Sequence, residues 1–277
     1  MQSNNPALRR SAEFSANSSQ TGYTDPASWG TGEPGQPGSV QAPVATGGPM
    51  TTDSVVQKTA ISVGLVMIVA AATWYLTPPI DQGSSADNLS SLIAVMTIGS
   101  LGAFALSLVN SFKRVVSPAL VLAFAALEGL ALGGLSKFFD AVYGDHIVMQ
   151  AVIGTFAAFA GTLAAYKFFN IQVGKKFRTF VIAAVLGMVG LSVLELVLSM
   201  FNADFGLFGV SQLGMITAFA GLILGVFMLI LDFDFAEQLI AQGAPEREAW
   251  RVAFGLTVSL VWIYTNLLRI LAFFSSD

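Results

Sequence analysis

Three carboxylates at the end of one apolar segment are the side chains of this chain best suited to chemistry. The segment covers residues 221–240, and its last two turns carry Asp232, Asp234 and Glu237. Ionisable groups in such a segment are costly, so each one is a functional candidate that needs a partner or water. Residues two apart on a helix point about 200° from one another. We therefore expect only one of the two aspartates to face the neighbouring helices.

A fourth carboxylate, that of Glu128, falls near the middle of another apolar segment. It lies about 16 Å from the start of that segment at a rise of ~1.5 Å per residue, and no basic residue occurs at that depth. A buried carboxyl without a neighbouring cation tends to keep its proton. We expect Glu128 to act either as a neutral hydrogen-bond donor to a neighbouring helix or as a relay for protons or cations.

Glu195 and Arg269 are the remaining charges well inside apolar segments. Both lie about 25 Å along their segments, counted from the same side of the membrane. Equal depth and opposite charge predict an ion pair between them. The alternative is that each side chain reaches the nearby interface separately, as long charged side chains do.

The composition is that of a membrane protein. The chain has 277 residues, of which 54% are hydrophobic and 11% charged, whereas soluble domains carry about 25% charged residues. It has no cysteine and a single histidine, His146. These counts exclude disulfides, thiolate metal sites and multi-histidine metal centres. A net charge of −4 argues against nucleic-acid binding.

Seven apolar runs, each close to the ~20 residues that a spanning helix needs, predict an all-α integral membrane protein. We place them at about residues 58–77, 89–109, 117–138, 147–166, 179–200, 212–235 and 252–274. The seventh run is the most polar, with Tyr264, Thr265, Asn266 and Arg269 within six positions. A helix of this kind is expected at the centre of the bundle rather than in contact with lipid.

The first 50 residues differ in composition from the rest of the chain. They are rich in Pro, Gly, Ser, Thr, Gln and Asn, a composition that predicts a disordered tail. We divide the chain into this tail, residues 1–50, and a transmembrane domain, residues 51–277. A docking motif for a protein partner is the other interpretation of the opening residues of the tail.

Lysine and arginine collect in the loops after the second, fourth and sixth segments. Aspartate collects in the loops after the first, third and fifth, where Lys137 is the one exception. Because cytoplasmic loops are enriched in basic residues, the sequence predicts a cytoplasmic amino terminus and a carboxyl terminus on the far side.

The chain resembles the Bax inhibitor family (the transmembrane Bax inhibitor motif superfamily). Seven segments follow a cytoplasmic amino terminus, and A-L-E-G-L-A-L-G at residues 126–133 resembles the acidic-Gly-Leu pattern of the family's third helix. An aliphatic-Asp end with a nearby Gln in the sixth segment, followed by a polar final segment, completes the resemblance. The opening Ser-Asn-Asn-Pro and the tail suggest a bacterial branch, actinobacterial in type, and therefore a plasma membrane location.

The resemblance implies a proton-sensitive latch on a cation leak, with calcium as the ion. In the family an aspartate of helix six pairs with one of helix seven. Carried over, the first falls on Asp234, with Asp232 as the other choice, and the second falls on Asn266. Because an asparagine cannot ionise, a proton switch would depend on one aspartate together with Glu128 or the second aspartate. No cofactor is implied beyond transient calcium.

Two other functions fit parts of the sequence. One is a non-conducting membrane regulator that binds a protein partner through the tail. The other is an intramembrane protease, because Gly134 and Ser136 resemble the Gly-x-Ser of rhomboid proteases and His146 lies on the same membrane face. Lys137 follows that serine where the rhomboid pattern has glycine. We therefore expect neither catalytic residues nor a resident metal, and we expect that the protein is not an enzyme.

Overall fold

The structure, a computed structural model, describes residues 48–80, 86–144, 146–201, 203, 206–209 and 211–275. Seven α-helices occupy this part of the chain and confirm the predicted all-α class. They are α1 Thr52–Leu76, α2 Ala86–Phe112, α3 Pro118–Tyr143, α4 Ile147–Phe168, α5 Lys175–Ser199, α6 Gln212–Ala241 and α7 Ala249–Ser275, with a 3-10 turn at Glu246–Glu248 before α7. All seven are long and apolar enough to cross a membrane. Residues 1–47 of the predicted tail lie outside the described residues.

Capping residues explain where several helices begin. At the start of α1, Thr51 and Ser54 form a reciprocal capping box with two N···O distances of 3.1 Å. This pair satisfies backbone N–H groups that the first turn cannot bond internally. Pro118 occupies the first turn of α3, a position where its missing N–H costs nothing. Ser211 caps α6 by accepting a hydrogen bond from the Gly214 N–H at 3.0 Å.

The sixth helix is longer than its apolar run. The sequence places its end near residue 235, whereas α6 continues to Ala241. Asp232 therefore lies about 14 Å before the end of the helix, well inside α6 rather than at its end. The polar side chains of the last two turns do not end the helix, because neighbouring helices supply partners for them.

The seventh helix is the centre of the bundle, as its polar sequence predicts. It packs against α6, α1, α4 and α3 and has more buried residues than any other described helix. Leu256 and Ile263 join the cluster that contains Phe233. Tyr264 and Leu268 join a second cluster with α3 and α4. By contrast, α2 packs mainly on α3 and α5 mainly on α6.

The loops after α2, α4 and α6 carry most of the Lys and Arg residues, and we call this side of the bundle the basic end. Two of these loops are joined there by arginine side chains. Arg251 donates to the carbonyl oxygen of Arg114 at 2.7 Å, and Arg247 donates to that of Val116 at 2.8 Å. These bonds fasten the α2–α3 loop to the start of α7.

Residues 48–50, which we call the strap, lie across the basic end. The sequence assigns them to the tail, but Met50 N donates to Ala244 O at 2.8 Å and Glu246 N donates to Gly48 O at 2.9 Å. Met50 is only 2% exposed and packs in the cluster with Phe233. The strap therefore pairs with the α6–α7 loop as a short extended bridge.

An ion pair next to the strap holds α1 to the same loop. The ammonium of Lys58 lies 2.7 Å from Glu246 Oε1 and 3.0 Å from the carbonyl oxygen of Glu246. The lysine is buried, with a side chain 10% exposed, whereas the glutamate side chain is 41% exposed. Hydrogen bonds to charged groups contribute about 1.5–3 kcal/mol each, so this contact is a substantial tie between distant parts of the chain.

We predict that Lys58→Met lowers the free energy of unfolding by about 1.5–3 kcal/mol, because it removes the donor and leaves the Glu246 carbonyl oxygen without this partner. The measurement is the thermal midpoint of the purified protein in detergent. Lys175→Met is the matched control, since Lys175 is an exposed lysine at the same end of the bundle. Equal midpoints for the two variants would contradict the prediction.

Candidate functional site

Asp232 is the carboxylate of α6 that faces the central helix. Its Oδ2 accepts a hydrogen bond from Ser259 Oγ of α7 at 2.5 Å. Gly255 lies one turn earlier on the same face of α7, and a Cβ there would stand 2.8 Å from Asp232 Oδ1. The carboxylate thus rests against bare backbone on one side and a hydroxyl on the other. Ser259 lies about 15 Å from the start of α7, so both partners are near the middle of the bundle.

Asp234 points away from α7, as the 200° angle between the two aspartates predicts. Its Oδ2 lies 2.8 Å from Arg178 Nη2 of α5 and 2.6 Å from Gln238 Nε2. The aspartate side chain is 14% exposed and that of the arginine 43%. Asp234 is therefore an ion-pair partner that fastens α5 to α6 near the basic end.

The third carboxylate of α6 contacts a third helix. Glu237 Oε2 accepts a hydrogen bond from the hydroxyl of Tyr166 in α4 at 2.9 Å. The ring of Tyr166 also lies 5.7 Å from that of Phe233, and Phe159 lies 5.6 Å from the same ring. The acidic end of α6 therefore contacts α7, α5 and α4 through three different carboxylates.

The predicted contact between Asp234 and Asn266 is wrong. Asn266 Nδ2 donates to Trp262 O at 2.7 Å, and a Cβ at Gly221 would lie 2.8 Å from Asn266 Cγ. Gly221 precedes Asp234 by about 20 Å along α6. The antiparallel register of α6 and α7 therefore sets Asn266 against the first half of α6. Ser259 is the residue of α7 that contacts an aspartate of α6, and that aspartate is Asp232.

Glu195 and Arg269 both bond to the backbone of Leu207. Glu195 Oε1 accepts from Leu207 N at 3.0 Å, and Arg269 Nη2 donates to Leu207 O at 2.8 Å. The same Nη2 also donates to Gly214 O at 2.8 Å and Thr217 Oγ1 at 2.9 Å. The two charges thus fasten the α5–α6 connection to the end of α7. Their direct ion pair stays a prediction.

Glu128 lies about as far from the basic end along α3 as Asp232 lies along α6. It is about 15 Å into α3, and α3 meets α7 through the edge-to-face rings of Phe124 and Phe254, 4.9 Å apart. Phe254 directly precedes Gly255, the glycine against Asp232. No hydrogen bond to the Glu128 carboxyl is found within the described part of the chain. The ring contact between α3 and α7 thus lies about one turn from Glu128 along α3 and next to the glycine that contacts Asp232.

No group of three or more His, Asp or Glu side chains suited to a metal ion is found among the described residues. The sequence profile of the family described as "Bax inhibitor 1 like" matches residues 5–276. The chain belongs to this family. No curated protein matches the chain.

Family membership confirms the resemblance derived from the third, sixth and seventh segments. The bacterial branch suggested by the tail stays a prediction. The chain departs from the resemblance in one respect, because Ser259 and Gly255 face the helix-six aspartate where a second aspartate is expected. Asp232, rather than Asp234, holds the position between α6 and α7.

Sequence reasoning missed Ser259, Gly255, Arg178 and Tyr166 as partners of the acidic helix. Gly255 and Ser259 are a small pair four residues apart on one face of α7, a spacing typical of close helix contacts. That spacing was a usable signal for the face of α7 that meets α6. Arg178 and Tyr166 carried no such signal, since each is one of several polar residues at a helix end.

We predict that Gly255→Ala destabilises the protein by about 1–3 kcal/mol, the usual cost of overpacking a close contact. The added methyl group would meet Asp232 Oδ1 at 2.8 Å and push the carboxylate from Ser259. The thermal midpoint in detergent measures this effect. Gly187→Ala in α5 is the control, because its Cβ would meet no atom within 4 Å and should raise stability by roughly 0.5–1 kcal/mol. A midpoint for Gly255→Ala at or above that of the parent would refute the prediction.

Proposed function

We propose that the protein is a proton-regulated cation leak channel, with calcium as the ion and Asp232 as the regulating group. The observation that carries this proposal is the 2.5 Å hydrogen bond from Ser259 Oγ to Asp232 Oδ2 near the middle of the bundle. An ionisable side chain inside a membrane costs free energy, so an intramembrane carboxylate with a single hydroxyl partner is a functional candidate. Carboxylate oxygens are also the ligands that calcium prefers.

The latch works through the charge on Asp232. An ionised carboxylate accepts a charge-assisted hydrogen bond, which is roughly twice as strong as a neutral one, and this bond holds α6 against α7. Protonation removes the charge and weakens the bond, so the leak increases as the pH falls through the range in which Asp232 takes up a proton. It decreases again as the pH rises.

Neighbouring charged and titratable groups have partners of their own. Asp234 pairs with Arg178, and Lys58 pairs with Glu246. Glu128, about 15 Å into α3, is proposed as a second carboxyl along the path of the cation. The proposed direction of the path is from the cytoplasmic, basic end to the opposite end, an orientation supported by the distribution of Lys and Arg.

The protein is proposed not to be an enzyme. Ser136, the serine with a rhomboid-like spacing, donates to Leu132 O at 2.6 Å and lies 2.6 Å from the hydroxyl of Tyr264. These partners occupy the hydroxyl that a protease would have to activate. The proposed location is the plasma membrane of a bacterium, with residues 1–50 in the cytoplasm.

The leak is tested with purified protein in liposomes that contain a calcium-sensitive dye, from about pH 5 to about pH 8. Asp232→Asn imitates the protonated state. If the substitution weakens the hydrogen bond between α6 and α7 by about 1 kcal/mol, the calcium flux near pH 8 should rise roughly fivefold to tenfold. The flux of this variant should then change little when the pH is lowered. Ser259→Ala removes the donor and is expected to raise the flux in the same way.

Asp234→Asn is the matched control, because Asp234 is paired with Arg178 and does not face α7. It should keep the parent response to pH. If Asp234→Asn abolishes that response while Asp232→Asn retains it, the assignment to Asp232 is wrong. If the parent protein passes no calcium at any pH, the leak proposal fails as a whole.

A second candidate, a non-conducting regulator that binds a protein through its tail, is favoured by the strap. Residues 48–50 join the tail directly to the α6–α7 loop through two backbone hydrogen bonds. A partner bound to residues 1–47 would therefore act on a segment that is fastened to the acidic helix.

We predict that deletion of residues 1–47 leaves the calcium flux of the liposomes unchanged, since the deletion retains the strap and Lys58. Flux measured beside that of the full chain is the readout. A cellular defect with intact flux would favour the regulator. A flux that changes with the deletion would contradict the prediction and give the tail a part in gating.

A further inference from the structure

The strap fastens the chain before α1 to the turn between α6 and α7. The backbone N–H of Met50 donates to the carbonyl oxygen of Ala244, and the backbone N–H of Glu246 donates to that of Gly48. Both Ala244 and Glu246 belong to this turn, which continues into α6 on one side and α7 on the other. The strap therefore lies where the two helices of the proposed latch are joined at the basic end.

The side chain of Met50 belongs to an apolar cluster that α6 and α7 share. Phe233 of α6 and Leu256 of α7 are members of the same cluster, and Met50 is only 2% exposed. Phe233 directly follows Asp232, and Leu256 directly follows Gly255, the glycine against its carboxylate. Met50 thus completes the packing of the contact between α6 and α7, which we call the seam.

Helical segments bound the pairing of the strap on both sides. α1 begins directly after the strap, where Thr51 serves as its N-cap, and the 3-10 turn of the other segment begins at Glu246. The two residues that lie opposite each other, Pro49 and Pro245, have no N–H to donate to a further strand. Within the described residues, two backbone hydrogen bonds and one buried side chain therefore hold the strap in place.

The strap can open while the helices remain folded. Gly48, Pro49 and Pro245 are exposed, so water reaches the paired backbone. A two-stranded pair is marginally stable by itself, and segments with few buried contacts open at a lower cost in free energy than the whole protein. The hydrogen bonds of α6 and α7 lie within each helix and do not depend on the strap. Release of the strap therefore exposes Met50 without unfolding the bundle.

A second contact keeps a released strap close to its site. Lys58, about two turns into α1, bonds to the carboxylate and the carbonyl oxygen of Glu246. These bonds use other atoms than the pairing of the strap, which engages the backbone N–H of Glu246. The start of α1 therefore stays beside the turn when residues 48–50 leave, and the strap can return over a short distance.

We propose that the strap is a releasable plug at the basic end of the seam, and that cation flux requires its release. With the strap bound, Met50 fills the cluster shared by α6 and α7, and the seam is closed at this end. With the strap released, the space of Met50 becomes open to water at the basic end. This inference rests on the proposed leak and adds a second closure, which acts together with the contact between Asp232 and Ser259.

Hydrogen exchange tests the release of the strap without any measurement of flux. The full chain in detergent is deuterated at a single pH, and the backbone amides of Met50 and Glu246 are followed by mass spectrometry. We expect these amides to exchange at least roughly tenfold faster than amides in the middle of α7, because the strap opens without global unfolding. Exchange as slow as that of α7 would show a permanent tie and overturn the proposal.

Met50→Ala removes the side chain that anchors the strap. Because the lost apolar burial favours the released state, we expect exchange at the Glu246 amide and calcium flux in liposomes both to rise roughly tenfold. Met67→Ala is the matched control, since Met67 is a methionine of α1 that is 47% exposed, and it should keep the parent values. Parent values of both exchange and flux in Met50→Ala would refute the plug.

A reversible disulfide tests whether the plug controls the leak. Pro49 and Pro245 form a non-hydrogen-bonded pair, in which Cα atoms lie about 4.5 Å apart, within the range of about 4.4–6.8 Å that a disulfide spans. The chain has no cysteine, so Pro49→Cys combined with Pro245→Cys supplies a single pair of thiols. Under the conditions of highest parent flux, oxidation of this double variant should lower calcium flux roughly tenfold or more, and a reductant should restore it.

The single variants Pro49→Cys and Pro245→Cys are the controls, and the same oxidant should leave their flux unchanged. Failure of the disulfide to form in the double variant would contradict the pairing itself. A disulfide that forms while the flux stays at the reduced level would overturn the plug and leave the leak intact. A parent protein that passes no calcium would overturn the leak together with the gating role, whereas hydrogen exchange would still decide whether the strap opens.

Discussion

The carboxylate of Asp232 constrains the whole bundle, because the hydrocarbon core offers no water to satisfy it. Its requirements are met by one face of α7, where Ser259 donates a hydrogen bond and Gly255 leaves space for the carboxylate oxygen. This contact fixes α7 beside α6 in one register. With that register set, the remaining faces of α7 are covered by α1, α3 and α4. A helix that carries Tyr264, Asn266 and Arg269 is thereby kept at the centre, away from lipid.

The acidic end of α6 distributes its charges among three neighbours, and the three contacts differ in kind. The bond between Asp232 and Ser259 is near the middle of the bundle. The contact of Asp234 with Arg178 is an ion pair with a half-exposed arginine, of the type that contributes little to stability. Glu237 accepts from Tyr166 close to the basic end. Only the first of these contacts joins α6 to the central helix α7, which is why the proposed latch rests on Asp232.

Hydropathy was sufficient to predict seven helices and the central position of α7, because both follow from the cost of polar groups in hydrocarbon. It misplaced the end of α6, since the charged turns after Leu231 look like an interface until their partners on other helices are known. The register between α6 and α7 could not be predicted from the sequence either. Matching Asn266 to a family pattern moved the expected contact by two turns, whereas the close pair Gly255 and Ser259 decides where the helices meet. Such pairings depend on shape between segments rather than on the composition of either one.

The strap has a consequence for the order in which the protein can be completed during synthesis. Residues 48–50 leave the ribosome before any membrane helix, yet the groups that bond them, at Ala244 and Glu246, are made only after α6. Lys58 likewise waits for Glu246, 188 residues later in the chain. The basic end therefore cannot close until six helices have been inserted. During elongation, the ammonium of Lys58 and the side chain of Met50 therefore lack the contacts that bury them in the complete protein. The same contacts that complete the bundle make its first helix one of the last to reach its final environment.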